Sequence, residues 1–186
     1  MSTDAKRWKR LSAAARRLAP SERGVTVIEF ALVFPIMLII FIGMVEFGEA
    51  FSVSRKISNA ASTVSDLVSQ ETAVTNARLA NIATIADELI RPYGGAPFSL
   101  RIISVVADDK NEKVSVAWSY PEGAAAVGSE YKALPSAAMT EANSSLIVAE
   151  TSYAFTPTVG HFIGSVTLNG IAYFRPRMVQ SVSKAD

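Results

Sequence analysis

Apolar and polar positions divide the chain into one long apolar stretch near the N-terminus and several shorter periodic segments after it. Residues 25–45 make up 21 positions, of which only Glu29 is charged. At about 1.5 Å per residue, a helix of that length covers roughly 30 Å, the thickness of the hydrocarbon core of a bilayer. The stretch is therefore predicted to cross a membrane once.

The helical period of apolar positions continues beyond this stretch. From Phe47 to Val68, apolar and small side chains recur at steps of three and four, while Arg55 and Asp66 lie off that stripe. The pattern predicts one helix from Val25 to Ser69, with an apolar face that packs against a domain or a neighbouring protein.

A second, shorter helix is predicted before residue 92. Thr75 or Asn76 supplies a side chain suited to an N-cap, and the helix is expected to stop at Arg91 because Pro92 follows. Its apolar face is predicted to consist of Leu79, Ile82, Ile85, Ala86 and Leu89.

Three segments have the composition of β-strands. Residues 98–107 and 114–120 are predicted to form a hairpin, and in the second of these runs Val114, Val116, Trp118 and Tyr120 alternate with smaller residues, so one face is expected to be buried. Residues 145–155 are predicted to form a buried strand.

The remaining segments have weaker patterns. Residues 121–144 are rich in Gly, Ala and Pro and are expected to form a long loop that contains a short helix at 136–143. Residues 162–168 are predicted to form an amphipathic segment, and residues 171–175 an edge strand that ends at Pro176.

Helices followed by consecutive strands predict an α+β fold, in which a long N-terminal transmembrane helix continues into a small extracytoplasmic domain with an antiparallel β-sheet of three or four strands. One core is expected to contain Leu100, Ile102, Val116, Trp118, Ile147 and Val148. Because the chain contains no cysteine, this domain is expected to be stable without disulfides.

The charge distribution predicts the orientation of the span. Residues 1–24 carry seven Lys and Arg against two Asp and Glu, whereas residues 46–186 carry 11 cations and 14 anions. The positive-inside rule therefore predicts a cytoplasmic N-terminus and an extracytoplasmic C-terminal part. The predicted segments are a basic cytoplasmic leader at 1–24, a transmembrane helix at 25–45, an extracytoplasmic helical segment at 46–91 and a sheet domain at 92–186.

The N-terminal region has two alternative interpretations. Its basic cluster adjoins a membrane span, contains a single aromatic residue, Trp8, and lacks a nucleic-acid-binding motif, so we expect no nucleic-acid partner. A secretory signal peptide is the other alternative, because Gly48 and Ala50 supply small residues after the apolar stretch. The apolar region of a signal peptide usually has about 7 to 15 residues, so a longer stretch that contains a carboxylate favours a retained span.

Residues suited to catalysis or metal binding are scarce. His161 is the only histidine, and the chain has no cysteine, no glycine-rich phosphate-binding loop and no serine-nucleophile motif. Asp108, Asp109 and Glu112 lack the spacing and the glycine of a calcium-binding loop, so they are interpreted as a solvated turn. We therefore predict a protein that is not an enzyme and binds no metal or other cofactor.

The start of the span resembles the processing site of type IV prepilins. Gly24 is followed by Val25-Thr26-Val27-Ile28-Glu29-Phe30. In that family a membrane peptidase cuts after the glycine and leaves a glutamate at the fifth mature position, which Glu29 occupies. Together with the basic leader and the Glu46-Phe47-Gly48 end of the span, the motif is similar to TadE/TadG-like pseudopilins of the tight-adherence (Flp, type IVc) pilus.

This resemblance implies a minor pilin or pseudopilin with a pilin-like fold, held in the bacterial inner membrane with a periplasmic C-terminal domain. It implies cleavage between Gly24 and Val25, and a role in assembly for Glu29 and Phe30. The implied partners are a prepilin peptidase, other pilins and pseudopilins, the inner-membrane platform of pilus assembly and membrane lipid. The alternative is a permanently membrane-anchored extracytoplasmic binding or scaffolding module, in which the helix is only an anchor.

The position of Glu29 suggests a physical role beside the one that the resemblance implies. A carboxylate in an apolar span costs a few kcal/mol, so a function and a partner are expected for it. Cleavage after Gly24 creates a cationic α-amine on Val25, which the carboxylate of a neighbouring subunit would neutralise. Alternatively, Glu29 lies only about 6 Å from the start of the span and extends its carboxylate to the lipid headgroups.

Overall fold

The computed structural model describes residues 22–93, 98–108, 110, 113–135, 141–157, 159 and 164–185, which form an α+β structure. The elements in chain order are α1 (Glu22–Ser69), β1 (Ala73–Val74), α2 (Asn76–Ile90), β2 (Phe98–Ala107), β3 (Val114–Tyr120), β4 (Ser145–Phe155), β5 (Val166–Phe174) and β6 (Ser183–Lys184). The chain divides into two compact units, Met1–Val45 and Glu46–Asp186.

In the first unit, α1 is an apolar helix with exposed side chains on all sides. Of the helices that the structure describes, α1 alone is long and apolar enough to cross a membrane, judged by length and composition. None of its most apolar stretch is buried, whereas the apolar side chains of a core helix would be. The predicted long N-terminal helix is confirmed: it ends at Ser69, as predicted, and begins at Glu22 rather than at Val25.

In the second unit, four antiparallel strands form the main sheet in the order β3-β2-β4-β5. The bounds of β2, β3 and β4 are those predicted from the sequence. The prediction of separate segments at 162–168 and 171–175 was wrong, because β5 pairs with β4 without a break from Val166 to Phe174. Strand β5 lies at the edge of the sheet, as predicted, although residues 162 and 163 lie outside the described part of the chain.

The two helices contribute buried side chains to a core shared with the sheet. The largest cluster includes Ala61, Val64, Val68, Leu79, Ile82, Ala86, Ile102, Trp118, Ile147, Ala149 and Ala172. A neighbouring cluster consists of Val53, Ile57, Ala60, Ile90, Tyr153 and Phe155. Residues of α1 from 46 onward and the whole of α2 therefore belong to the same compact unit as the sheet. The predicted packing face of α1 was wrong at its start: Phe47 and Phe51 are exposed, because the buried face of the helix runs through Val53 and Ile57 instead.

Helix α1 passes close to β5 at Gly170. A Cβ atom built on Gly170 lies 2.7 Å from Thr151 Oγ1 and 3.1 Å from the backbone carbonyl carbon of Ile57. The Thr151 hydroxyl donates to the carbonyl oxygens of Ile57 and Gly170, both 3.2 Å away, so it bridges helix and strand. The absence of a side chain at Gly170 is what allows α1 to lie against this part of the sheet.

Helix α2 begins and ends close to the predicted positions. The Thr75 side chain caps it by accepting from the Arg78 backbone N–H at 3.2 Å. Its buried residues are Leu79, Ile82, Ala86 and Ile90. The prediction that Ile85 and Leu89 share this face was wrong, since both are 44% exposed. In the last turns of α2 the buried residues are Ala86 and Ile90, so the residue before each of them lies at the exposed side.

The second face of the sheet carries a separate apolar cluster, so the prediction of a single core was wrong. Val116 and Val148 pack there with Ile103, Val105 and Leu146, beneath Ala125, Tyr131 and Leu134 of the irregular segment after β3. Ile147 and Val148 are adjacent in a strand and must point to opposite faces. Val116 and Trp118 of β3 also lie on opposite faces, although they are two residues apart. The reason is a shift in register, because the adjacent residues Ser104 and Val105 pair with Trp118 and Val116.

The described part of residues 121–144 contains no helix or named strand, as expected for a long loop. Its backbone nevertheless pairs with the outer edge of β3, where the N–H groups of Gly128 and Tyr131 donate to the carbonyls of Val116 and Val114, both at 2.8 Å. Of the short helix predicted at 136–143, residues 136–140 lie outside the described residues.

The segment after β5 ties the helices to the sheet, which the sequence analysis did not anticipate. The Arg177 backbone N–H donates to the Ser69 carbonyl at 2.9 Å, and the Arg177 guanidinium forms an ion pair with Asp66. Trp118 Nε1 donates to the Val182 carbonyl at 2.7 Å, and β6 then pairs in parallel with β1. Both the end of α1 and the indole of Trp118 are therefore held by this segment.

The contact at Gly170 leads to a stability prediction. We expect Gly170→Ala to lower the free energy of unfolding by about 1 to 3 kcal/mol, because its methyl group meets helix backbone and the Thr151 hydroxyl rather than a flexible side chain. Thermal unfolding of the full chain in detergent, followed by circular dichroism, measures this change. Gly48→Ala in α1 is the control, since nothing lies within 4 Å of its Cβ position. Equal melting temperatures for the two variants would contradict the close contact.

Candidate functional site

The predicted cleavage bond lies in the first turn of α1. Gly24 and Val25 are the third and fourth residues of the helix, and both are exposed. The first four N–H groups of a helix have no carbonyl partner within the helix, so this turn opens at lower cost than any interior turn. A peptidase would therefore have to unwind only the end of the helix to reach the bond between these two residues.

Glu29 and Phe30 lie one and a half turns further along the same helix. Both side chains are exposed, and the Phe30 ring stacks against Phe34 with 5.3 Å between ring centroids. Within the described part of the chain, the Glu29 carboxylate has neither a hydrogen bond nor an ion pair. Because the rest of the stretch 25–45 is uncharged and apolar, this exposed carboxylate has to be satisfied by something outside the described residues.

The helix places Val25 and Glu29 on one face. Residues four apart in a helix are neighbours, so the backbone nitrogen of Val25 and the carboxylate of Glu29 lie about one turn apart. If the bond before Val25 is cut, that nitrogen becomes a charged amine at the same end of the helix as the carboxylate. The arrangement supplies two complementary charges, which can pair within one subunit or between two subunits.

A second candidate site is a cavity of about 610 Å³ on the sheet. Its lining residues come from β2, β4 and β5 and are Ser99, Arg101, Glu150, Thr151, Ser152, Asn169, Gly170 and Ile171. Arg101 forms an ion pair with Glu150, and the Tyr131 hydroxyl donates to the other carboxylate oxygen of Glu150 at 2.6 Å. Among the described residues that line the cavity, the two charged side chains therefore neutralise each other.

The Arg101, Glu150 and Tyr131 side chains at this cavity bind one another and stabilise the fold. Burial raises the pKa of Tyr131 above its ordinary value of 10.0, and the hydrogen bond to Glu150 raises it further. Tyr131 therefore stays protonated at neutral pH and acts as a donor, not as a base. Sequence reasoning missed this group, because the pairing of Arg101 with Glu150 depends on the register of β2 and β4.

Of the residues considered for metal binding or catalysis, the structure describes one. Asp108 is described, whereas Asp109, Glu112 and His161 lie outside the described residues. The part of the chain that the structure describes holds no group of three His, Cys, Asp or Glu side chains arranged to bind a metal ion. The expectation of no metal and no cofactor stays a prediction.

Comparison with known proteins shows that the N-terminal helix is similar to a known family. Residues 24–66 match the family model of TadE-like proteins, a range that contains Gly24, Val25, Glu29 and Phe30. The match confirms the resemblance found in the sequence and supports a TadE-like protein of a tight-adherence pilus. Searches of curated proteins and of solved structures found no match.

The network around Glu150 leads to a pH prediction. At neutral pH we expect Tyr131→Phe to lower the free energy of unfolding by about 1.5 to 3 kcal/mol, because the hydrogen bond to a carboxylate is lost. The folded-state pKa of Tyr131 is raised, so its contribution is complete below pH 10.0 and is lost as the pH rises above that value. Thermal melts of both proteins between pH 7 and pH 11 should therefore converge at the alkaline end. A constant difference across this range would contradict the assignment.

Proposed function

We propose that the chain is a minor pilin or pseudopilin that takes part in the assembly of a tight-adherence (type IVc) pilus after a prepilin peptidase cuts between Gly24 and Val25. The match to TadE-like proteins indicates a pilus-associated protein of a structural family. The observation that carries the finer proposal is the Glu29 carboxylate, which is exposed on an apolar helix and has no partner within the described part of the chain.

The proposed role of cleavage is to create the partner of that carboxylate. Before the cut, Val25 N is part of a neutral peptide bond. After it, the amine is cationic near neutral pH, and a carboxylate of another subunit can neutralise it. Two charges that are each costly in lipid then become one pair, which favours contact between subunits over isolated helices.

The proposed location is the bacterial inner membrane, with a cytoplasmic N-terminus and a periplasmic second unit. The exposed apolar helix is consistent with membrane anchoring. The proposed orientation rests on the excess of cations before residue 25. The proposed partners are the peptidase, other pilins and pseudopilins, the assembly platform and lipid.

The processing step gives the first test of this function. Co-expressed with a prepilin peptidase, the protein should lose its first 24 residues, so that intact-mass measurement finds a chain that begins at Val25. We expect Gly24→Val to remain uncut, because a branched side chain crowds the bond at the helix end. Gly48→Ala is the matched control and should be cut like the parent.

The other results would decide against the proposal in different ways. A mature chain that begins near residue 51 would identify an ordinary signal peptide. A chain that stays intact with an active peptidase would favour the alternative, a permanently anchored binding or scaffolding module.

Substitution of Glu29 tests the assembly step separately. Glu29→Leu should insert into the membrane at least as well as the parent, since it removes a carboxylate from an apolar segment. It should nevertheless reduce co-purification with other pilins, and pilus formation, by about tenfold or more, corresponding to the loss of about 1.4 kcal/mol or more. Membrane-fraction abundance and co-purification are the two measurements.

A neighbouring conservative change provides the control. Ile28→Leu keeps an apolar, exposed side chain beside Glu29 and should leave both measurements unchanged. If Glu29→Leu assembles as well as Ile28→Leu, the carboxylate only extends to the headgroups and the pairing role is excluded.

A further inference from the structure

Immediately after the predicted span, α1 presents two different faces. Glu46 is only 1% exposed, on the same side of the helix as the buried Val53 and Ile57. On the other side, Phe47 is 67% exposed and Phe51 is 58% exposed. The acid is therefore inside the second unit while two large aromatic rings are outside it.

An exposed cation follows the two rings on the same side of the helix. Phe47, Phe51 and Arg55 are spaced four residues apart, so they form one stripe on the exposed side of α1, and we name these three residues the interfacial stripe. Arg55 is exposed and, among the described residues, has no ion pair or hydrogen-bond partner. In contrast, Lys56 Nζ donates to the Arg91 carbonyl at 2.8 Å and lies 5.1 Å from the centre of the Tyr93 ring.

The order of these side chains matches the layers of a bilayer surface. The polar headgroup region is about 5 to 7 Å thick on each side of the hydrocarbon core. At about 1.5 Å per residue, Phe47 and Phe51 lie roughly 3 and 9 Å beyond Val45, the last residue of the predicted span. The backbone of Phe51, and that of Arg55 at about 15 Å, therefore lie beyond this region, but helical side chains tilt toward the N-terminus, which brings the Phe51 ring and the Arg55 guanidinium back toward the headgroups.

We propose that the interfacial stripe is a lipid-binding surface, in which Phe47 and Phe51 lie among the headgroups and Arg55 binds the phosphate of an anionic phospholipid. Lipid is favoured as the occupant because the stripe follows the exposed apolar part of the same helix and ends in a cation that the described fold leaves unpaired. Large apolar side chains such as Phe, buried at the boundary between headgroups and acyl chains, and cations near anionic lipid both strengthen membrane binding. The proposal requires membrane anchoring by α1 but holds whether or not the chain is processed or assembled.

The test uses the absence of cysteine from the chain. Full-length proteins with a single Phe47→Cys, Phe51→Cys or Ser62→Cys change are spin-labelled and reconstituted in vesicles of phosphatidylcholine and phosphatidylglycerol. The accessibility of each label to oxygen and to a water-soluble nickel complex is then measured. Ser62 is the matched control, because it is exposed on the same side of α1 about two turns beyond Arg55.

Three patterns of accessibility are possible. We expect the oxygen-to-nickel ratio at positions 47 and 51 to exceed that at position 62 severalfold, which indicates lipid. Low accessibility to both reagents at 47 and 51 would indicate a helix of a neighbouring protein and would overturn the proposal. High accessibility to nickel at 47 and 51 would indicate water and would overturn it as well.

A second measurement isolates Arg55. In the Phe51→Cys protein, vesicles with phosphatidylglycerol should give a deeper label than vesicles of phosphatidylcholine alone, and salt should reduce the difference by screening. Arg55→Gln should abolish this dependence on lipid charge. Arg78→Gln removes a cation that pairs with Glu71 and should preserve it. If Arg55→Gln and Arg78→Gln behave alike, Arg55 does not bind the headgroup.

Discussion

The close contact between α1 and the sheet at Gly170 is the constraint on which the packing of the second unit depends. The helix face that meets the sheet carries small buried residues, Ala60, Ala61 and Ser65. Their size allows side chains to reach backbone across the interface: Ser65 Oγ donates to the Ala172 carbonyl at 3.3 Å, and Thr151 bridges helix and strand. An apolar stripe that is thin in the sequence is therefore suited to a tight contact with strands.

With one face occupied by helices, the sheet must cover or solvate the other. Its odd-numbered positions on β2 change from polar to apolar along the strand, from Ser99 and Arg101 to Ile103 and Val105. The apolar part is covered by the segment after β3, which Tyr173 also holds by donating to the Ala133 carbonyl at 2.8 Å. The polar part remains open and lines the cavity around Glu150. The Gly- and Pro-rich loop after β3 therefore covers the apolar part of this face, and its side chains form part of the core.

The sequence was sufficient for the elements whose signal is local. The bounds of three strands and the end of α1 follow from alternation, helical period and breaks in the pattern. The break predicted between residues 168 and 171 is absent, because Gly170 lies within β5 and accommodates a helix that is distant in sequence. The faces of Val116 and Trp118 depend on a change in register, which no local pattern encodes.

The same distinction applies to the candidate sites. Gly24, Val25, Glu29 and Phe30 form a contiguous motif, so they were found from the sequence and lie in the segment that matches TadE-like proteins. Their roles involve other proteins and are still predictions. The Arg101–Glu150–Tyr131 network was not found, because its members come together only through strand pairing and the return of the loop.

The two glutamates at the ends of the apolar stretch, Glu29 inside it and Glu46 directly after it, have different surroundings. Glu46 is buried in the second unit and interacts within the chain. Glu29 is exposed and has no such partner among the described residues. In the proposed mechanism its partner exists only after the bond before Val25 is cut, because a peptide nitrogen carries no charge. An uncut subunit would lack the amine that neutralises the carboxylate of its neighbour, so assembly would discriminate against it without any separate checkpoint.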